Sequence, residues 1–238
     1  MESRVALVMG SARGMGRAIA LALAEACAAV AVHYRSDAAG ADETVAAILG
    51  TGKGSAAFRA DLADEAEVTA LVGAVEKAFG RIDILVNNVG PFLVKAWYEL
   101  SAGDWYALLR VNLVGAFSCM KSVLPGMRRR KWGRIINIGY SRAEQLGAFP
   151  TIAPYAVAKT GLVILTRTAA KTEAGHGITV NLVSPGLIRG GALPADKTID
   201  PETLGSFEDV ARAVLSLTSE GAAKITGSNV IVAGTWKM

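Results

Sequence analysis

Tyr155 and Lys159 stand four residues apart in Pro154-Tyr155-Ala156-Val157-Ala158-Lys159, at the head of a helix-forming run. On a helix that spacing puts both side chains on one face, with Cβ atoms about 6 Å apart. An ammonium so close favours a phenolate and draws a tyrosine down from its ordinary value of about 10 toward working pH, which makes the phenol a general acid. The same pair also arises wherever a half-buried aromatic packs beside a solvated amine. It carries chemistry only if a cofactor site lies upstream.

Such a site opens the chain. The apolar run Arg4 to Met9 stops at Gly10-Ser11-Ala12-Arg13-Gly14-Met15-Gly16, and an Ala/Leu helical pattern follows from Arg17 to Ala29. Strand, glycine loop and helix in that order aim backbone N–H groups at a pyrophosphate. The spacing is G-x-x-x-G-x-G, not the commoner G-x-G-x-x-G. The structural alternative is a set of glycines that ends a strand and lets a helix pack close. A second strand, Ala29 to Tyr34, runs into Arg35-Ser36-Asp37. A site for NAD places a carboxylate there for the ribose hydroxyls, whereas this chain offers a guanidinium and a hydroxyl. Arg35, with Arg13 closing from the glycine loop, can bind a 2′-phosphate through charge-assisted hydrogen bonds, which points to NADPH.

Alternating strands and helices must position these groups. A helix near Ala41 to Leu49 precedes a strand near Ser55 to Ala60, which ends at Asp61-Leu62, facing the adenine or capping the next helix. The helix Glu65 to Phe79 and the strand Ile82 to Val86 lead to Asn87-Asn88-Val89-Gly90. A long helix, Ala102 to Met127, carries Asn112 among apolar neighbours, where its amide needs partners, either structural groups or a functional water. The strand Arg134 to Ile138 ends in Gly139-Tyr140-Ser141, and the Tyr155 helix follows. Then come the strand Ile178 to Val183, Ser184-Pro185-Gly186-Leu187-Ile188, a loop over 189–205, a helix near Phe207 to Leu217 and a strand near Asn229 to Ala233. Near-continuous apolar strands between helices predict an α/β fold, a single Rossmann domain over 1–238 with a doubly wound parallel sheet of about seven strands. The 189–205 stretch reads as a lid or substrate loop.

Composition narrows the classes. With 52% hydrophobic and 19% charged residues and a net charge of +4 over 238 residues, the chain suits a packed helix-on-sheet domain, neither disordered nor made to coat nucleic acid. Arg128-Arg129-Arg130-Lys131 reads as a helix C-terminus, not a nucleic-acid patch. Cys27 and Cys119 have no disulfide or metal spacing, so no metal is expected and a reducing cytoplasm is. No secretory signal pattern opens the sequence, no apolar run approaches the ~18 residues of a membrane span, and no membrane partner is expected.

With these motifs in order, the chain resembles the short-chain dehydrogenase/reductase family over essentially its whole length, and Ile225-Thr226-Gly227 resembles the entry to the family's last strand. Within the family it resembles the bacterial 3-oxoacyl-acyl-carrier-protein reductases in overall look. The resemblance implies that Tyr155 protonates a substrate oxyanion, Lys159 lowers its pKa and binds the nicotinamide ribose, and Asn112 holds a relay water. It also implies that Gly10, Ser11, Arg13, Arg35 and Ser36 hold the phosphates, that Gly14, Met15 and Gly16 belong to the same cofactor-binding loop, and that Asp61 and Leu62 hold the adenine. Asn88 and Gly90 would hold the adenosine ribose and nearby backbone, and Pro185 and Ile188 the carboxamide end. The implied partner is a small-molecule carbonyl substrate, carried on acyl carrier protein in the leading reading, and the implied assembly a homotetramer built on the two long helices.

Three positions depart from the family pattern. The substrate-polarising serine, thirteen residues before the tyrosine, would be Arg142; counted from the strand it would be Tyr140. Ser141 is the nearest hydroxyl if the loop is two residues longer, and it is taken as the candidate with Tyr140 as the alternative. Gly190 replaces a threonine, and Val232-Ala233-Gly234-Thr235 replaces an aspartate and paired glycines. These changes keep open a reductase of another small ketone, pterin, quinone or sugar, and an NADP-binding regulator without turnover.

Overall fold

The computed structural model describes residues 4–27, 29–191 and 201–234. Seven strands form one sheet: β1 (Val5–Val8), β2 (Ala29–Tyr34), β3 (Gly54–Arg59), β4 (Ile84–Asn87), β5 (Gly133–Ile138), β6 (Ile178–Pro185) and β7 (Asn229–Val232). Their order is β3-β2-β1-β4-β5-β6-β7, and every neighbouring pair is parallel. The order reverses direction between β1 and β4, so the ends of those strands open a crevice. Strands β1, β4 and β5 are buried throughout, which is why they read as unbroken apolar runs.

The helices are α1 (Gly14–Ala26), α2 (Ala38–Leu49), α3 (Glu65–Phe79), α4 (Ala102–Leu109), α5 (Ala116–Arg130), α6 (Ala153–Glu173) and α7 (Phe207–Thr218). Two apolar layers flank the sheet. In one, Ile19 and Leu23 of α1 and Val210 and Val214 of α7 pack on Val8, Val32 and Val86. In the other, Val68 and Val75 of α3 and Cys119 and Val123 of α5 pack on Leu7, Leu85 and Ile135. Helix α1 starts three residues before its predicted start because the second half of the glycine loop is already helical.

Between α4 and α5 the predicted long helix widens into a π-turn over Arg110–Gly115, so Ala102–Arg130 is continuous. It is also the single helix among the described residues long and apolar enough to cross a bilayer by length and composition, contrary to the reading of the sequence. Its apolarity has an internal cause: Cys119, Met120, Val123 and Met127 are core residues. At its end Arg128 forms a two-pronged pair with Glu173 at 2.8 and 2.6 Å, and Arg130 reaches buried Asp83 at 3.4 Å. The basic cluster thus anchors α5 to α6 and to the sheet.

The departure at Gly190 has a steric cause. Gly190 has φ +81°, and a Cβ there would meet the Phe207 ring at 3.2 Å, so threonine does not fit. Gly234 has φ +61° and lies against Thr203 O, 2.2 Å from where a Cβ would stand. Thr235 and most of the predicted loop, residues 192–200, lie outside the described residues.

Candidate active site

Two cavities meet at the crevice. The first, of about 460 Å³, is lined by Gly10, Arg13, Met15, Gly16, Arg35, Ser36, Asp61, Leu62, Asn88 and Gly90 among others. The second, of about 730 Å³, is lined by Tyr155, Lys159, Tyr140, Pro185, Ile188 and neighbours, and shares Met15, Asn88 and Gly90 with the first. A long molecule can therefore lie across both.

The first cavity is built from backbone. Gly10 takes φ +66°, and a Cβ on Gly16 would lie 2.1 Å from Gly10 O, so only glycine allows this close turn. Asn88 Nδ2 donates to Met9 O and Gly10 O at 3.1 and 3.2 Å and staples the loop to the end of β4. Helix α1 begins without a side-chain cap or an acidic residue in its first turn, leaving its N–H groups to an anion. Arg13, its side chain 86% exposed, stands at the rim, 3.8 Å from Asp37. Arg35 and Ser36 line the same end. Asp61 lines the cavity and accepts from Ala63 N–H at 2.9 Å, but it does not cap the next helix: that residue is Asp64, whose side chain accepts from Ala66 and Glu67 N–H at the start of α3.

Ser11 is not brought to the cleft. It is fully buried, its N–H donates to His33 O at 2.9 Å, its hydroxyl donates to Val8 O at 2.8 Å, and the same oxygen accepts from His33 N–H. Gly14 lines neither cavity; its φ of +55° shapes the turn. His33, which sequence reasoning missed, holds the loop instead. Its Nδ1 accepts from Gly10 N–H at 2.9 Å and its Nε2 lies 3.0 Å from Ala60 O. Those partners require a neutral ring with its proton on Nε2, and burial lowers the pKa from 6.5 to about 4. A lone histidine inside Ala29-Val-Ala-Val-His33-Tyr34 was the available signal.

In the second cavity, Tyr155 and Lys159 share a face of α6, with the Lys159 Nζ 5.6 Å from the phenol ring centre. Lys159 is buried and donates to Ile138 O at 2.7 Å. A buried amide ladder holds α6 against the sheet: Asn87 Nδ2 donates to Asn137 Oδ1, and Asn137 Nδ2 to Thr166 Oγ1, each at 2.8 Å. Gly90 passes between the partners, since a Cβ there would lie 2.4 Å from Asn112 Oδ1 and 3.2 Å from Lys159 Nζ. Asn112 sits in the π-turn and donates to Pro91 O and Leu108 O at 3.0 and 3.1 Å, while its buried Oδ1 has no partner among the described residues.

Electrostatics here runs opposite to the expectation from spacing. Burial pushes the Tyr155 pKa above its ordinary value, with Tyr140 adding to the rise. Burial lowers Lys159 to about 8. Desolvation penalises both charges, and in the protein alone it outweighs their mutual attraction. The phenol is therefore fully protonated at neutral pH, a loaded proton donor.

The structure brings Tyr140, and not Ser141, to this cavity. Ser141 is 6% exposed, lines neither cavity, and its N–H donates to Pro185 O at 3.0 Å. Tyr140 lines the cavity with its ring centre 5.7 Å from that of Tyr155. The strand end sets this: after Gly139 bonds Val183 O, residue 140 faces the crevice and 141 turns inward.

These features define a dinucleotide-dependent oxidoreductase, and the chain belongs to the short-chain dehydrogenase/reductase family. A family model described as enoyl-(acyl carrier protein) reductase matches residues 10–235. A 3-oxoacyl-[acyl-carrier-protein] reductase of Synechocystis sp. is 39% identical over 241 residues, covering 98% of this chain and 97% of that protein. The (2S)-[(R)-hydroxy(phenyl)methyl]succinyl-CoA dehydrogenase subunit BbsD of Thauera aromatica is 39% identical over 243 residues, covering 98% and 96%. Among solved structures, a gluconate 5-dehydrogenase of Burkholderia cenocepacia in complex with NADP and tartrate superposes with TM-score 0.89 at 32% identity, covering 98% of this chain and 95% of that one.

The residues present fit NADP. A Cβ on Gly10 or Gly16 would not fit, the α1 N-terminus is uncapped, Asn88 Oδ1 is buried without a partner among the described residues, and Arg13 and Arg35, which line the same cavity, would hold a 2′-phosphate.

Proposed function

We propose that this protein is an NADPH-dependent reductase that converts the ketone of a 3-oxoacyl thioester to a secondary alcohol, acting as a single domain over residues 1–238. The observation that carries the reading is Tyr155 beside buried Lys159 in a cavity that joins the arginine-rimmed cleft at Asn88 and Gly90. The thioester class rests on the names of the Synechocystis and Thauera relatives, both of which describe acyl thioester chemistry. Bound NADPH supplies the hydride. Tyr155 gives its phenolic proton to the oxygen that becomes negative, a general acid step worth ~10²–10⁴-fold. Tyr140 donates a second hydrogen bond to that oxygen, the role first assigned to Ser141. Lys159 holds the nicotinamide ribose and favours the phenolate that Tyr155 leaves behind. Asn112 Oδ1, unpartnered and close to the Gly90 backbone, holds a water that returns a proton through Lys159.

Buried, unpaired Cys27 and Cys119 support a cytoplasmic location. Exposed Tyr106, Val114 and Phe117 on α4, the π-turn and α5, with Val157 and Ile164 on α6, support a homotetramer assembled through these helices.

The test is the absorbance of NADPH mixed with purified protein and acetoacetyl-N-acetylcysteamine. Loss of NADPH matched by 3-hydroxy product is expected; no loss with any 3-oxoacyl thioester would overturn the substrate class. Displacement of the small serine by a tyrosine favours one second reading, a reductase of a different ketone, and a panel of pterins, quinones, sugars and simple ketones separates the two.

A further inference from the structure

Two aromatic rings pack against Tyr155. Phe92, from the segment after β4, meets it edge to face with ring centres 4.9 Å apart and planes at 87°. Tyr140 meets it at 5.7 Å and 64°, and the Phe149 ring centre lies 6.4 Å from that of Tyr140. These separations are the ones at which aromatic rings attract each other edge to face. The wall is braced as well: Lys95 N–H donates to Thr151 O at 2.8 Å and Trp97 N–H to Pro150 O at 2.9 Å, so the segment after Phe92 is zipped to the loop that follows Tyr140. Phe207 lines the same cavity. Among its described lining residues Lys159 is the only charged side chain, and one of its N–H groups donates to Ile138 O. A flexible alkyl chain needs none of this ring geometry.

We propose that the ketone reduced at this site carries a planar aromatic ring on its carbonyl carbon, so that the substrate is an aryl 3-oxoacyl thioester. This rests on the reading of the site as a 3-oxoacyl thioester reductase. The ring stacks against Phe92 and Tyr140 while the carbonyl oxygen points to the Tyr155 hydroxyl. The carbonyl carbon accepts a hydride as NADPH is oxidised to NADP⁺, the oxygen accepts the Tyr155 proton, and a benzylic alcohol results.

Two thioesters that differ only at C3 decide it: 3-oxo-3-phenylpropanoyl- and acetoacetyl-N-acetylcysteamine, each assayed with the full chain and NADPH. The phenyl compound is expected to show kcat/KM at least ~10-fold higher, within the range one apolar group gives in a fitted pocket. Phe92→Leu is expected to bring the phenyl-to-methyl ratio toward one. In ligand-observed NMR, saturation of the protein's aromatic protons is expected to reach acetophenone in the wild type more strongly than in Phe92→Leu. Turnover of both thioesters with the methyl compound equal or better overturns the aryl assignment alone, as does a ratio unchanged by Phe92→Leu or an absence of saturation transfer. Turnover of neither by protein that binds NADPH overturns the thioester reading, and the aryl assignment with it.

Discussion

The cofactor cleft and the substrate cavity lie side by side but are held by different forces. The cleft is a backbone object: Gly10, Gly16, the α1 N-terminus and the Asn88 staple set its shape, and His33 locks it through one N–H and one C=O. The cavity is a side-chain object, walled by rings and branched apolar groups from segments far apart in sequence. A backbone object tolerates almost no change of residue at its glycines, whereas a side-chain object can be re-lined to suit a new ligand. The protein's chemistry is therefore fixed on one side of the crevice and adjustable on the other.

The sharpest break of that contrast is Gly16→Ala. Its methyl would stand 2.1 Å from Gly10 O, so the loop must move, and fluorescence titration is expected to show NADPH binding weakened by ~1000-fold, about 4 kcal/mol. Binding within a few-fold of wild type would mean the cleft is not set by its backbone.

Next in size is acid sensitivity. His33 is neutral in the folded protein with its pKa lowered to about 4, so its contribution to stability is complete above its unfolded value of 6.5 and is lost as pH falls from there to about 4. The loss expected from this group is on the order of 3 kcal/mol. Protonated Nδ1 could no longer accept from Gly10 N–H, so NADPH affinity should fall only as the folded ring itself titrates, near pH 4. Urea melts at pH 7 and pH 4.5, with His33→Gln as the comparison, check it; identical pH dependence in both proteins would contradict it.

On the cavity side, Tyr140→Phe keeps the ring and removes the hydroxyl. A fall in kcat of ~10²-fold is expected, the size seen when one donor to a developing oxyanion is removed, with the NADPH Kd unchanged. A larger loss in Ser141→Ala than in Tyr140→Phe would reverse the assignment. The smallest effect is at the rim: Arg35→Ala should reduce the preference for NADPH over NADH by ~10-fold, the worth of one exposed charge-assisted contact, and Arg13→Ala by a similar factor.

Sequence alone displayed the cleft well because its determinants are local. Gly10 to Gly16, Arg35 and Asp61 each follow a strand end, and apolar runs betray strands wherever a sheet is covered on both faces. It misplaced Ser11 because the direction of a side chain in a tight loop depends on what the next strand offers, here His33. It chose Ser141 over Tyr140 because counting residues from the tyrosine cannot tell which way a strand end faces; the bonds of Gly139 to Val183 and Ser141 to Pro185 decide that. The expected acidic shift of Tyr155 failed for the same reason: spacing shows the neighbour, but burial is a property of the fold. The stretches Pro91 to Trp97 and Arg142 to Phe149 read as pocket-shaping in the sequence, but neither Phe92 nor Phe149 could be singled out within them, because their partners lie on other elements.

The most direct test compares Tyr155→Phe with the wild type, reading the NADPH Kd by fluorescence and kcat from NADPH loss with acetoacetyl-N-acetylcysteamine. An unchanged Kd with kcat down by at least ~100-fold is the predicted result, as expected when a general acid is removed from an intact cofactor site. A kcat within a few-fold of wild type would contradict the claim that this phenol supplies the proton.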